Sequence, residues 1–183
     1  MRKANAIVTV LILILFLIHL IWGSMELAGI VKGGSTLFTA LSHTLLLLVA
    51  IHLCIGIRLT ADTLRACRIS GVSYLKQNRL FWIRRISGFA FMLFLICHLL
   101  IFRGSNDGGV YRLKLFDGAA LLTQLLMAAS LLVHLLCNIA PLRIALGIGD
   151  RHRFRTDVLL VFAALLLLGA VSFVIYFIRW STI

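Results

Sequence analysis

Four histidines, His19, His52, His98 and His134, each stand inside a separate apolar stretch of this chain. Around His98 the stretch reads RRISGFAFMLFLICHLLIFR, from Arg84 to Arg103, and the histidine is the one ionisable side chain between the flanking arginines. An ionisable group in such surroundings is costly and needs a partner. Two chemistries answer that need. One is a hydrogen bond to a neighbouring helix; the other is ligation of a metal through a ring nitrogen. A bare metal ion asks for three or four converging ligands at one level. Two imidazoles per level suit a bis-histidine haem held between facing helices.

The elements that must position these histidines follow from hydropathy. The chain is 62% hydrophobic with a mean hydropathy of +1.08 and a single proline. Apolar stretches of about 20 residues predict membrane-spanning helices, the only open segments that satisfy their own backbone in hydrocarbon. The predicted fold is all-α, one integral membrane domain over 1–183, with helices at about 5–24, 37–60, 83–103, 118–140 and 156–178. The fourth is expected to end before Pro141, and a long loop is expected between the second and third. The apolar run Ile7–Ile21 is at the upper limit of a signal-peptide core, and no small-residue cleavage site follows, so retention of the first helix is expected. No C-x-x-C or C-x-x-C-H pairs Cys54, Cys67, Cys97 and Cys137, which read as small packing residues.

Charge then assigns sides. The pI of about 10.8 comes from basic residues at helix ends and in short loops, which set topology and attract anionic lipid rather than nucleic acid. With the N-terminus in the cytoplasm, thirteen of the 18 Lys and Arg fall on that side: Arg2 and Lys3, seven from Arg58 to Arg85, and four from Arg143 to Arg155. His19 and His98 come late in outward helices, and His52 and His134 come late in inward ones. At 1.5 Å per residue His98 lies about 20 Å from Arg85, whereas His52 lies about 9 Å from Arg58. Two levels result, with His52/His134 toward the cytoplasm and His19/His98 toward the outer face. The residues four positions on share the histidine's helix face: Gly23, Gly56, Phe102 and Asn138. Glycine there would let a flat macrocycle approach the backbone. His43 falls on the opposite face of its helix from His52 and suits a polar contact or a quinone site; His152 lies in a basic stretch and is expected to be solvated. A quinone exchanges protons with its electrons and needs a titratable group near water. Glu26 and His43 are the expected pair at the outer end, and Arg58, Asp62, Arg85 and Ser87 mark the competing place on the cytoplasmic side.

At these residues the chain resembles the di-haem cytochrome b subunit of succinate:quinone oxidoreductases, the succinate dehydrogenase and fumarate reductase family. Five helices with one matching histidine in each of the first four follow that layout over nearly the whole length. Arg85-Ile86-Ser87-Gly88 is similar to the family's R-[IV]-[ST]-G element, and His52-Leu-Cys-Ile-Gly56-Ile57-Arg58 to an H-x-x-x-G-x-R segment of related cytochrome b anchors. Leu132 departs from it, standing where some di-haem members place a buried glutamate. The resemblance implies two b haems, with His52/His134 as proximal and His19/His98 as distal ligands, and Arg58, Arg85, Ser87 and Gly56 as cofactor-binding residues. It also implies a quinone substrate, expected to be menaquinone, and flavoprotein and iron–sulfur subunits docked on cytoplasmic loops carrying Tyr74, Trp82 and Arg84. The cytoplasmic membrane of a prokaryote is the implied location. The rival expectations are the cytochrome b anchor of another respiratory dehydrogenase or reductase, and a haem-free transport or structural membrane protein.

The charge asymmetry carries a direct test. Cys67 lies in the basic stretch assigned to the cytoplasm. A membrane-impermeant thiol reagent is expected to label it in inverted vesicles and not in intact cells, and labelling from outside would reverse the sidedness of both histidine levels.

Overall fold

Five helices long and apolar enough to cross a membrane make up nearly all of the described chain. They are α1 (Arg2–Leu27), α2 (Thr36–Ser70), α3 (Arg79–Ile101), α4 (Gly118–Ala145) and α5 (His152–Ser181). The computed structural model describes residues 1–71, 78–102, 105–107, 110–112, 116–148 and 152–181, of which 105–107, 110–112, 152–155 and 180–181 are described by backbone alone. Tyr74, one of the expected docking residues, lies outside the described residues.

Local chemistry sets the helix ends. The Ser35 hydroxyl accepts from the Phe38 amide at 3.4 Å, Asn78 Oδ1 from the Phe81 amide at 3.3 Å, and Asp117 Oδ1 from the Ala120 amide at 2.7 Å. Each side chain thus satisfies an amide that the first turn leaves over. Gly71, at φ 67°, closes α2 in the left-handed conformation that glycine enters without a Cβ penalty. Because nothing breaks the helix before Gly71, α2 runs ten residues past its expected end at 60. Much of the stretch expected as a loop is therefore helical. At 35 residues α2 is about 52 Å long, well beyond the about 30 Å needed to cross hydrocarbon. Its last turns carry exposed Asp62, Arg65 and Arg68. His152, expected in a loop, is the first residue of α5. Between α3 and α4, Ser105–Asp107 (β1) pairs antiparallel with Val110–Arg112 (β2), a short hairpin that the sequence reading treated as a plain polar connection.

The proline corrects another expectation. Helix α4 does not end before Pro141 but passes through it to Ala145. Proline has no amide hydrogen, so the carbonyl four residues back, that of Cys137, loses its helical donor. Arg84 Nε on α3 donates to that carbonyl at 2.8 Å. A side chain from the next helix stands in for the missing backbone bond, which is how prolines are accommodated in spanning helices.

Backbone packing is uneven. Close contact joins α3 to α4, α4 to α5, α5 to α1 and α1 to α2, with α1 also touching α4. The bundle is therefore two helix pairs, α1/α2 and α3/α4, with α5 bridging α4 and α1. At the bridge, a Cβ on Gly169 of α5 would lie 2.6 Å from Leu20 Cδ1 of α1, so the glycine makes room for the Leu20 side chain as it stands. The best-buried cluster is Phe116, Ala120 and Phe173, with Phe102, Met127, Tyr176 and Phe177 against it. Helix α2 has no buried residue. Outward faces are apolar throughout, as at Leu47, Phe89, Leu100, Leu122 and Leu160.

Replacing Arg84 by Leu is expected to orphan the Cys137 carbonyl and cost about 1–3 kcal/mol of stability. Adding Pro141→Ala should restore most of that by returning the helical donor. Thermal denaturation in detergent of the two single variants and the double variant checks this, and additive losses would be the contrary result.

Candidate functional site

The bundle brings the four interior histidines together two by two. His19 on α1 and His98 on α3 have ring centroids 6.2 Å apart at an interplanar angle of 71°. His52 on α2 and His134 on α4 have centroids 6.5 Å apart at 89°. Each pair joins the α1/α2 layer to the α3/α4 layer, across helices that share no close backbone packing. These are the same two pairs that depth along the helices predicts.

The hydrogen bonds decide which ring nitrogen carries the proton. His19 Nδ1 lies 3.1 Å from Ser42 Oγ, His52 Nδ1 3.3 Å from Thr9 Oγ1, and His134 Nδ1 3.3 Å from Ser87 Oγ. Each of those hydroxyls spends its only proton on a carbonyl of its own helix. Ser42 donates to Phe38 O at 2.9 Å, Thr9 to Asn5 O at 2.8 Å, and Ser87 to Arg84 O at 3.2 Å. With the hydroxyl proton assigned to that carbonyl, the oxygen accepts and the imidazole Nδ1 is the donor. Beside Ser87, the Arg84 carbonyl offers the His134 ring a second acceptor. His98 Nδ1 lies 2.8 Å from Gln124 Oε1, an amide oxygen and again an acceptor. This assignment puts the proton on Nδ1 in all four rings and leaves the Nε2 lone pair over. Among the described residues no hydrogen bond reaches any of the four Nε2 atoms.

That arrangement has the form of a metal-ligand set, in which the second ring nitrogen is tied to an oxygen that fixes tautomer and orientation. Two imidazoles that shared one ion through metal–nitrogen bonds of ~2.0–2.1 Å would have ring centroids no more than roughly 6 Å apart. The observed separations are of that size. Among the described residues no three His, Cys, Asp or Glu side chains converge. Two imidazoles per level thus suit a metal that brings its remaining donors with it, as a porphyrin iron does.

The His52/His134 level has a basic and closely fitted rim. Arg85 lies with its guanidinium carbon 5.1 Å from the Phe81 ring centroid, and its Nη1 is 3.9 Å from where a Cβ of Gly56 would stand. Its Nε is buried and, among the described residues, has no hydrogen-bond partner. Ser87 is buried against His134, and Gly88 leaves the room for that ring, since a Cβ there would meet His134 Cε1 at 2.9 Å. Arg58 is placed differently from Arg85, Ser87 and Gly56. It is exposed and lines an open groove of about 590 Å³ with Met1, Ala4, Ala50, Ile51 and Cys54, on the outside of α1 and α2. Of the expected docking residues, Arg84 is committed to the Cys137 carbonyl and Trp82 is half-buried, so neither offers a free loop surface.

The other level is aromatic. Phe38 stacks on His19 at 5.1 Å and 11°, and Trp22 stacks on Phe38 at 6.1 Å and 27°. Trp22 Nε1 donates to Glu26 Oε1 at 2.9 Å, so a contact ladder leads from Glu26 to His19. Phe102 and Phe173 pack on His98 with centroids at 4.8 and 6.4 Å. His43 is exposed and donates from Nδ1 to its own helix, at Thr39 O, 2.8 Å away. No described contact brings it to Glu26. Of the residues four positions on from the histidines, Gly23 has nothing within 4 Å of its Cβ position, whereas Asn138 turns back to the His134 carbonyl at 2.7 Å. Sequence reasoning missed Thr9, Ser42, Gln124 and Phe38. A polar residue set in an apolar helix was the available signal for the first three.

Comparison with known proteins adds no relative: no family model matches the chain, and neither a curated protein nor a solved structure matches it.

The fit at Gly88 is open to test. Gly88→Val is expected to displace the His134 ring and to cost about 1–3 kcal/mol by overpacking. Gly33→Ala, with open space at its Cβ, should leave the thermal transition within error of the parent. Equal transitions for both variants would show that the His134 ring yields freely.

Proposed function

We propose that this chain is a membrane-embedded cytochrome b anchor of the succinate:quinone oxidoreductase type. It would hold two b haems between its helix layers and pass electrons between an iron–sulfur subunit and a membrane quinone. The observation that carries this reading is two cross-bundle histidine pairs whose Nδ1 atoms all have hydrogen-bond partners and whose Nε2 atoms have none among the described residues.

A haem supplies a reversible one-electron carrier when bound. The protein's own residues do the rest. His52 and His134 would hold one group, and His19 and His98 the other. Arg85, whose buried Nε has no hydrogen-bond partner among the described residues, offers a cation to an anionic edge at the His52/His134 level. Gly56 and Gly88 keep side chains out of that level. Phe102 and Phe173 keep water from His98. A group seated between the layers would also anchor α2, which packs closely on α1 alone. The quinone is proposed to react at the Glu26 end, where a carboxylate stands at the head of the Trp22–Phe38–His19 ladder. The flavoprotein and iron–sulfur subunits are proposed to dock at the cytoplasmic end, where the exposed Arg65 and Arg68 of α2 reach past the apolar zone. The chain itself would not act on succinate or fumarate.

Pyridine haemochrome assay of the purified protein is expected to return two b haems per chain. Alanine at His19, His52, His98 or His134 should lose one haem each, with His19 and His98 removing the same one. His43→Ala should keep both. Colourless parent protein would overturn the reading in favour of a haem-free membrane protein. Two haems that succinate fails to reduce in the assembled membrane would assign the anchor to another dehydrogenase.

A further inference from the structure

Gln124 is the one polar side chain in the described bundle with no exposure at all, at 0%. It sits on α4 one turn past Ala120, which forms a buried cluster with Phe116 and Phe173. Thr123 orients its amide. The Thr123 hydroxyl donates to the Ala120 carbonyl at 2.7 Å, and its oxygen accepts from Gln124 Nε2 at 3.2 Å. With the NH₂ group placed there, Oε1 faces His98 at 2.8 Å, the shortest of the four Nδ1 contacts. The other three histidines are held by hydroxyls at 3.1–3.3 Å. Among the four, His98 is the ring whose Nδ1 meets a fully buried side-chain amide oxygen.

We infer that Gln124 is the positioning residue that sets the ligand strength of His98, with Thr123 fixing the direction of its amide; this rests on the proposal that His19 and His98 hold a haem. An acceptor on Nδ1–H draws the proton away from the ring and raises the electron density that Nε2 offers a metal. A better donor stabilises the oxidised metal and lowers its potential. The hydrogen bond thus adjusts the electron affinity of one haem and leaves the other untouched. At the His52/His134 level the Nδ1 atoms meet the hydroxyls of Thr9 and Ser87, with the Arg84 backbone carbonyl beside His134, and among the described residues no side-chain amide.

The test uses the purified full chain, with redox titration of each haem and low-temperature EPR of the oxidised form. Gln124→Met keeps the volume and removes the acceptor, and it should raise the midpoint potential of the His19/His98 haem. Gln124→Glu places a stronger, ionisable acceptor at the same atom and should lower it. Thr123→Val frees the amide and should move the potential in the same direction as Gln124→Met, by less. The other haem should hold its potential in all three, and the EPR g-values of the affected haem alone should shift. A merely structural role for Gln124 would move Met and Glu variants the same way, or move both haems, and either outcome overturns the inference. If Gln124→Glu does not fold, Gln124→Met and Thr123→Val decide it through the size and sign of their shifts. Parent protein with two haems and unmoved potentials in the variants defeats this inference alone, whereas parent protein without haem defeats the function proposed above as well.

Discussion

An imidazole inside an apolar bundle has two ring nitrogens to satisfy, and the rest of this structure depends on how that is done. Leaving a polar group buried without a partner costs more than an ordinary hydrogen bond returns. Here each of the four histidines settles one nitrogen on an oxygen from a neighbouring helix: Ser42 on α2, Thr9 on α1, Ser87 on α3 and Gln124 on α4. Those bonds stitch α1 to α2 and α3 to α4, the same pairs that pack closely by backbone. Across the gap between the layers the rings themselves meet in pairs, His19 beside His98 and His52 beside His134. The hydrogen bonds that hold each layer together thus also hold the rings that face the other layer.

This division of labour explains the uneven packing. A helix bundle that buries its interior fully has no room for a planar group, and the largest buried cluster among the described residues is the one around Phe116, Ala120 and Phe173, with α1 burying Ala6 and Ser24 and α2 nothing. Helix α5 contributes no histidine, yet Phe173 meets His98 and Gly169 meets Leu20 of α1, so it braces both layers from one side. Helix α2 is the loose partner. It buries no side chain and reaches the other layer chiefly through His52 beside His134 and Gly56 beside Arg85. The proposed cofactors would supply the contacts that the protein alone does not make there.

The same economy governs the backbone. Pro141 withdraws a donor from the Cys137 carbonyl, and Arg84 replaces it from α3. Arg84 and Arg85 are adjacent in sequence but point to different tasks, one closing a gap in α4 and the other facing the His52/His134 level. A reading by residue type treats the two arginines alike; their geometry separates them.

What the sequence alone determined follows from covalent regularity. A helix rises 1.5 Å per residue whatever its surroundings, so the count from each histidine to the charged end of its helix sorts His19 with His98 and His52 with His134. The five apolar stretches are legible for the same reason, because hydrocarbon demands about 20 apolar residues in a row. What only the tertiary structure decided depends on the rotation of each helix about its axis and on which neighbours it meets. The partners Thr9, Ser42 and Gln124 are single polar residues in apolar runs, and nothing in one chain segment states which histidine they face. Helix ends past the apolar zone escaped for a different reason. The turns from Ala61 to Ser70 and from Pro141 to Ala145 are polar or carry a proline, so hydropathy is silent there, and it was capping by Gly71 and donation by Arg84 that decided how far the helices run.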